Sequence, residues 1–174
     1  MTKIVTISQP MIETSRLYLN YPTNHNIMVI ENLWRDEEVR KFLGGIVSDD
    51  LIKQNIIDLQ NHWERYKFGQ WAIVEKISHK TIGLCGLHHS DDGVELSYMF
   101  FPSFWGRGYA YEATAASIDH GFNTLKINKI IAITQLANVK SCQLLKRVGM
   151  QHIKNFERFK ATQCLFMINN SMFV

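Results

Sequence analysis

The chain has 174 residues, 46% of them apolar and 20% charged, with a formal charge of +3. That balance excludes wholesale disorder, and the length suits a single domain, 1–174, with a real core. Three scattered cysteines exclude a disulfide framework, and no long apolar run follows Met1; neither a signal peptide nor a membrane span is expected, and the setting is read as cytoplasmic.

Arg16 to Tyr21 alternates in polarity and predicts a strand ending near Pro22. Ile27 to Phe42 carries Ile30, Leu33, Trp34 and Val39 at helical spacings, and Gly44-Gly45 stops it. Ser48-Asp49-Asp50 supplies cap candidates for a second helix through Ile52, Ile56, Leu59 and Trp63. The period then changes to two. Strands are predicted over 70–77, 81–89 and 94–101, with an Asp92-Gly93 turn between the last two and Pro102 as a stop. A helix from Gly108 to about Leu125, a strand at 129–136, a helix at 139–148 and strands at 151–157 and 162–169 complete the order β-α-α-β-β-β-α-β-α-β-β. The fold class is mixed α/β.

Charge is unevenly distributed. Lys126 to Lys160 holds eight basic residues against one acidic, whereas Glu31 to Glu64 holds eight acidic against four basic. A basic stretch invites a nucleic-acid reading, but the low net charge and the lack of a basic helix with interleaved aromatics argue against it.

The most informative stretch is Trp105-Gly106-Arg107-Gly108-Tyr109-Ala110-Tyr111, lying between a strand and a helix. Glycines admit close backbone approach, the first N–H groups of a helix lack internal partners, and Arg107 adds a full charge, so the junction favours a phosphate. Tyr111 stands where a dinucleotide fingerprint needs its third glycine, and no Gly-Lys-Ser/Thr follows, so neither nucleotide motif is met. The bland alternative is an ordinary strand–helix turn. Asn138 reads as the cap of the 139–148 helix, at the same end of the sheet, with its side-chain amide available to a ligand. Cys85-x-x-His88-His89 lacks further ligands at useful spacing, so no metal is expected. Trp34, Trp63 and Trp71 read as core, with the two helical ones as candidates for an acceptor-pocket border.

These motifs, in this order, resemble the GNAT superfamily of N-acetyltransferases, and within it the branch containing the ribosomal-protein alanine/serine N-acetyltransferases. The resemblance rests on Trp105 to Ala110, on Asn138-x-x-Ser141 with Gly149-Met150, on Glu13-Thr14-x-Arg16-Leu17-x-Leu19, and on Ile82-Gly83 with Glu95-Leu96-Ser97-Tyr98. It implies a splayed central sheet that binds acetyl-CoA as co-substrate. The pyrophosphate would lie on Gly106, Arg107, Gly108, Tyr109, Ala110 and Tyr111, and the pantetheine beside Met99, Phe100 and Phe101. Asn138 would bond the pantetheine, with Ser141 near the thioester. The basic stretch would then face the coenzyme phosphates, and the acidic helices a cationic acceptor. Glu95 is the candidate base, through water. The family's usual thiolate acid is a tyrosine where this chain has Leu145, so Ser141, Tyr98 or solvent is expected to substitute. The partners are acetyl-CoA and an amine, either a protein N-terminus or a small molecule, and the chain is a monomer or homodimer. A non-catalytic coenzyme A sensor or interaction module is the competing reading.

Overall fold

The structure, a computed structural model, describes residues 12–171. Two short strands, β1 (Ile12–Glu13) and β2 (Leu17–Asn20), precede three helices, α1 (Asn24–Arg35), α2 (Glu37–Arg40) and α3 (Asp49–Tyr66). Strands β3 (Gln70–Glu75), β4 (Thr81–Ser90) and β5 (Gly93–Phe100) form an antiparallel meander. A short 3-10 turn (Pro102–Phe104) leads to α4 (Tyr109–Asn123), β6 (Lys129–Gln135), α5 (Val139–Arg147), β7 (Gln151–Arg158) and β8 (Ala161–Asn169).

The strands join one eight-stranded sheet in the order β1-β2-β3-β4-β5-β6-β8-β7. Leu17 and Leu19 are wholly buried and alternate with less buried Tyr18 and Asn20, the period-two pattern of a strand with one face in the core. In β4, by contrast, Thr81 to Leu87 is buried without a break, because α1 and α4 pack over it. Asn26 of α1 donates from Nδ2 to Thr81 Oγ1 (2.9 Å), and Gly121 of α4 lies against Leu87 and Ile130 so closely that a Cβ there would come within 3 Å of both.

Two differences from the sequence expectation have local causes. The single helix expected over 27–42 is two helices, because Asp36 takes an extended conformation and its Oδ1 accepts from the Val39 N–H (3.0 Å), starting a new helix. The apolar spacing runs through this break and hides it. Strand β1 was not expected; two residues are too few to show a period. Ser48 caps α3 as expected, accepting from Leu51 N–H, and Trp34, Trp63 and Trp71 are all core.

Among the described strands, β5 and β6 are the one parallel neighbouring pair, connected by the crossover through α4. Only Glu95 and Ile131 are in register. Beyond that rung the two strands diverge, and the sheet opens toward the C-terminal end of β5.

Candidate active site

The opening leads into a cavity of about 710 Å³. Its walls are the 96–100 stretch of β5, Ala132 to Thr134 of β6, the turn into α4, the start of α5, and a segment beginning in α2 at Glu38 and ending at Leu43. Of the residues assigned to acetyl-CoA from sequence, Met99, Phe100, Gly106, Gly108, Tyr109, Ala110, Tyr111, Asn138 and Ser141 border this one cavity. Phe101 and Arg107 do not.

Backbone direction explains Phe101. Its N–H donates to the Ile82 carbonyl (3.1 Å) in β4. Successive residues of an antiparallel strand turn their N–H and C=O to opposite sides, so Met99 also faces β4. The backbone groups that face the opening belong to Tyr98 and Phe100, and the Phe100 carbonyl already accepts from Trp105 Nε1 (2.8 Å). A ligand strand laid in the opening therefore meets the N–H groups of Tyr98 and Phe100, not those of Met99 and Phe101.

At the end of the opening, Gly106 (φ +74°) and Gly108 (φ +80°) adopt left-handed conformations that bend the chain into α4. Gly108 is the N-cap and brings no capping side chain, and the first helical bond is Glu112 N–H to Gly108 O (3.1 Å). The N–H groups of Tyr109, Ala110 and Tyr111 thus lack intrahelical partners and stand at the positive end of the helix dipole. Side chains here diverge from expectation. The Tyr109 hydroxyl turns inward and donates to Glu75 Oε1. The Arg107 guanidinium lies over the Phe104 ring, 5.6 Å from its centroid, outside the cavity wall. The cations that do line the cavity are Lys140 and Arg147 of α5 and Lys41, and Arg147 sits 5.0 Å from the Tyr111 ring centroid. Arg107 lies between the two glycines, which is what makes it conspicuous in the sequence. Arg147, the last residue of the amphipathic helix α5, stands in no motif of its own and enters the sequence reading only as part of the basic 126–160 stretch.

Asn138 Oδ1 accepts from Ser141 N–H (3.2 Å), so the cap occupies the side-chain oxygen and leaves the amide hydrogens to a ligand carbonyl. Ser141 Oγ lies 2.7 Å from the Tyr98 hydroxyl. The two residues proposed as alternatives for the thiolate acid are therefore one hydrogen-bonded pair. Burial pushes the Tyr98 phenol well above its ordinary value, and the Ser141 hydrogen bond only partly opposes this. Leu145 packs fully buried where it meets the cavity.

Glu95 does not border the cavity. It is half-buried on the stem of β5 opposite His88, on the face shared by Ser97 and Met99. Burial raises its pKa; His88, the Ser90 hydroxyl and Arg158 oppose this, while Asp92 adds to it. The acidic bias of the early helices resolves mostly into local pairs. Glu31 and Asp49 bracket Arg35 (3.1 and 2.9 Å), Asp50 meets Lys53, and Asp36 is a cap. Among these carboxylates Glu38 alone borders the cavity, beside Val39, Phe42 and Leu43. The following turn is pinned by Arg40, whose guanidinium donates to the carbonyls of Leu43 and Gly45.

A sheet split beside an uncapped glycine-rich helix start, with a capped helix facing it across the gap, is the architecture of an acyl-coenzyme A-dependent acetyltransferase. The sequence profile of the acetyltransferase (GNAT) domain family matches residues 16–151, and the chain belongs to that family. The chain is 33% identical over 140 residues to the uncharacterized N-acetyltransferase YnaD of Bacillus subtilis, covering 79% of this chain and 74% of that one. Its structure resembles the ribosomal-protein-S5-alanine acetyltransferase of Vibrio fischeri (TM-score 0.79, 17% identity, 93% and 97% coverage). It also resembles the spermidine N-acetyltransferase of Vibrio cholerae in complex with CoA and spermine (TM-score 0.78, 18% identity, 91% and 98% coverage). Membership assigns acyl transfer from acetyl-CoA to an amine in general.

Proposed function

We propose that the cavity holds acetyl-CoA with its pyrophosphate on the N–H groups of residues 106–111 and its pantetheine along Tyr98 and Phe100. The observation that carries this reading is the shared cavity, in which the open edge of β5 runs directly into an uncapped helix N-terminus. The Tyr98 and Phe100 N–H groups are the donors available to a polarised acetyl oxygen. A neutral amine attacks the carbonyl, the C–N bond forms and the C–S bond breaks. Glu95, set back from the cavity on the stem of β5, takes the amine proton through intervening water, and Ser141, supported by Tyr98, protonates the departing thiolate and is reprotonated from cavity water.

The acceptor is a cationic amine that meets Glu38, with Phe42 and Leu43 packing on its carbon skeleton. Thiol release from acetyl-CoA over an amine panel tests the reading, using peptides with N-terminal alanine or serine, polyamines and aminoglycosides. Acetylation of one class is expected. Binding of coenzyme A without turnover of any amine would instead favour a coenzyme A sensor or interaction module. Coenzyme A at 100 times its Kd should stabilise the fold by about 2.7 kcal/mol; no stabilisation would remove the cofactor assignment.

Glu95→Gln is expected to lower kcat by about 100-fold or more while leaving coenzyme A affinity unchanged. Because burial raises the Glu95 pKa and the base must be ionised, the acid limb of kcat in the wild type should lie above the ordinary carboxylate value of about 4.3. A flat profile identical to that of the variant would exclude Glu95. Tyr98→Phe and Ser141→Ala should each lower kcat, and the double variant should be no slower than the slower single one, since the two hydroxyls act as a unit.

A further inference from the structure

We propose that Arg16 is a positioning residue that holds the 106–111 loop in its anion-binding shape and keeps a carboxylate away from the bound phosphates. This rests on the acetyl-CoA reading above and gives a role to the Glu13-Thr14-x-Arg16 segment, which otherwise has none in the site. Arg16 lies between β1 and β2, distant in sequence from the loop, yet its guanidinium touches three parts of it. Nη1 donates to the Arg107 carbonyl (2.8 Å), Cζ lies 4.6 Å from the Tyr109 ring centroid, and Nη2 is 3.3 Å from where a Cβ on Gly108 would stand. Nε donates to Glu112 Oε2 (2.7 Å). The other oxygen, Oε1, is taken by the Arg16 backbone N–H and by Thr14 Oγ1, each at 2.7 Å.

Glu112 is in the first turn of α4, where its charge suits the helix dipole but would repel an incoming pyrophosphate. With both oxygens bonded to the Thr14–Arg16 segment, the carboxylate is held on the β1–β2 side and its charge is balanced. The guanidinium fork also fixes the Arg107 carbonyl between two left-handed glycines, the part of the loop with the greatest freedom in its absence. One arginine thus supplies shape and electrostatic balance together. Lysine, a single point donor, cannot bond Glu112 and the Arg107 carbonyl in the same fork geometry.

The test measures equilibrium affinity for coenzyme A and for pantetheine, which lacks the pyrophosphate, in the wild type and in Arg16→Lys, Arg16→Ala and Arg16→Ala/Glu112→Gln. Arg16→Ala should weaken coenzyme A binding by about 10- to 100-fold and leave pantetheine affinity unchanged, with kcat at saturating acetyl-CoA near the wild-type value. Arg16→Lys should be weakened in the same selective way, and it supplies the measurement if the alanine variant does not fold. Removing the carboxylate in the double variant should restore part of the coenzyme A affinity, a recovery that a purely structural role would not give. Equal loss for both ligands, or no loss for either, would overturn the inference. A wild-type chain that binds neither ligand would overturn the acetyl-CoA reading instead.

Discussion

Gly108→Val is expected to lower affinity for acetyl-CoA by about 100-fold or more, the largest functional effect of any single change in the loop. Gly108 sits at φ +80°, a region that a β-branched residue enters only at a cost of about 1–2 kcal/mol. Its new Cβ would also stand 3.3 Å from the Arg16 Nη2, so the added methyls press on the guanidinium that anchors the loop. Relief requires rotating the loop, which turns the N–H groups of Tyr109 and Ala110 away from a common focus. Each hydrogen bond to a charged group contributes about 1.5–3 kcal/mol, so losing one or two with the added strain reaches the stated range. Direct titration with coenzyme A checks this. Gly106 is the informative comparison: it has a similar φ of +74°, but a Cβ there meets nothing within 4 Å, so Gly106→Ala should be milder. Unchanged affinity in Gly108→Val would place the phosphates elsewhere.

Trp63→Ala should be the most destabilising single substitution, at about 3–5 kcal/mol. Trp63 is 1% exposed, stacks edge-on with Trp71 (4.5 Å between centroids) and Tyr21 (5.4 Å), and donates from Nε1 to the Gln70 carbonyl (2.9 Å). The neighbouring chain has been shaped around it: a Cβ on Gly69 would come within 2.5 Å of the indole nitrogen. Truncation leaves a large cavity at the junction of α3 and β3 together with an unpaired carbonyl. Chemical denaturation measures the loss, and a value below about 1 kcal/mol would mean the site collapses around the alanine.

Acid provides a separate stability test. Burial raises the Glu112 pKa, but the hydrogen bonds from Thr14 and Arg16 and the Arg16 charge outweigh it, and the carboxyl titrates below its ordinary value. The folded form thus holds its charge more firmly than the unfolded one. Its stabilisation is complete above about 4.3, the unfolded value, and disappears as the pH falls through the lower folded value. Denaturation midpoints of the wild type and Glu112→Gln should therefore converge in acid and separate near neutrality.

Much of this was readable in the residues. The change of period at Gln70 marked the meander, Asp92-Gly93 marked its second hairpin, and Gly106 to Tyr111 marked the uncapped helix start that borders the cavity. Those features are local, with caps, turns and alternation each confined to a few residues. What escaped depends on chain segments meeting in space. Arg107 falls between the glycines but its guanidinium lies over the Phe104 ring, while Lys140 and Arg147, which the sequence offered only as two of eight cations in the 126–160 stretch, are the ones of that stretch that border the cavity. The Tyr98–Ser141 contact spans 43 positions, and the Arg16–Glu112 contact spans 96. Alternation placed Glu95, Ser97 and Met99 on one face; which of their neighbours turn backbone groups to the opening followed only once Phe101 was seen bonded to Ile82.

The single rung between Glu95 and Ile131 divides the sheet into a leaf of β1 to β5 and a leaf of β6, β8 and β7, held together along that seam by little backbone bonding. On the proposed reading, a ligand arm bonded to Tyr98 and Phe100 on one side and to Asn138 on the other would act as a suture across the seam. If acetyl-CoA binds there, it would add backbone bonding where the sheet has least, so loss of the spent thiol would leave the seam held mainly by the shared core, and the pace of turnover would be tied to how readily the seam reopens.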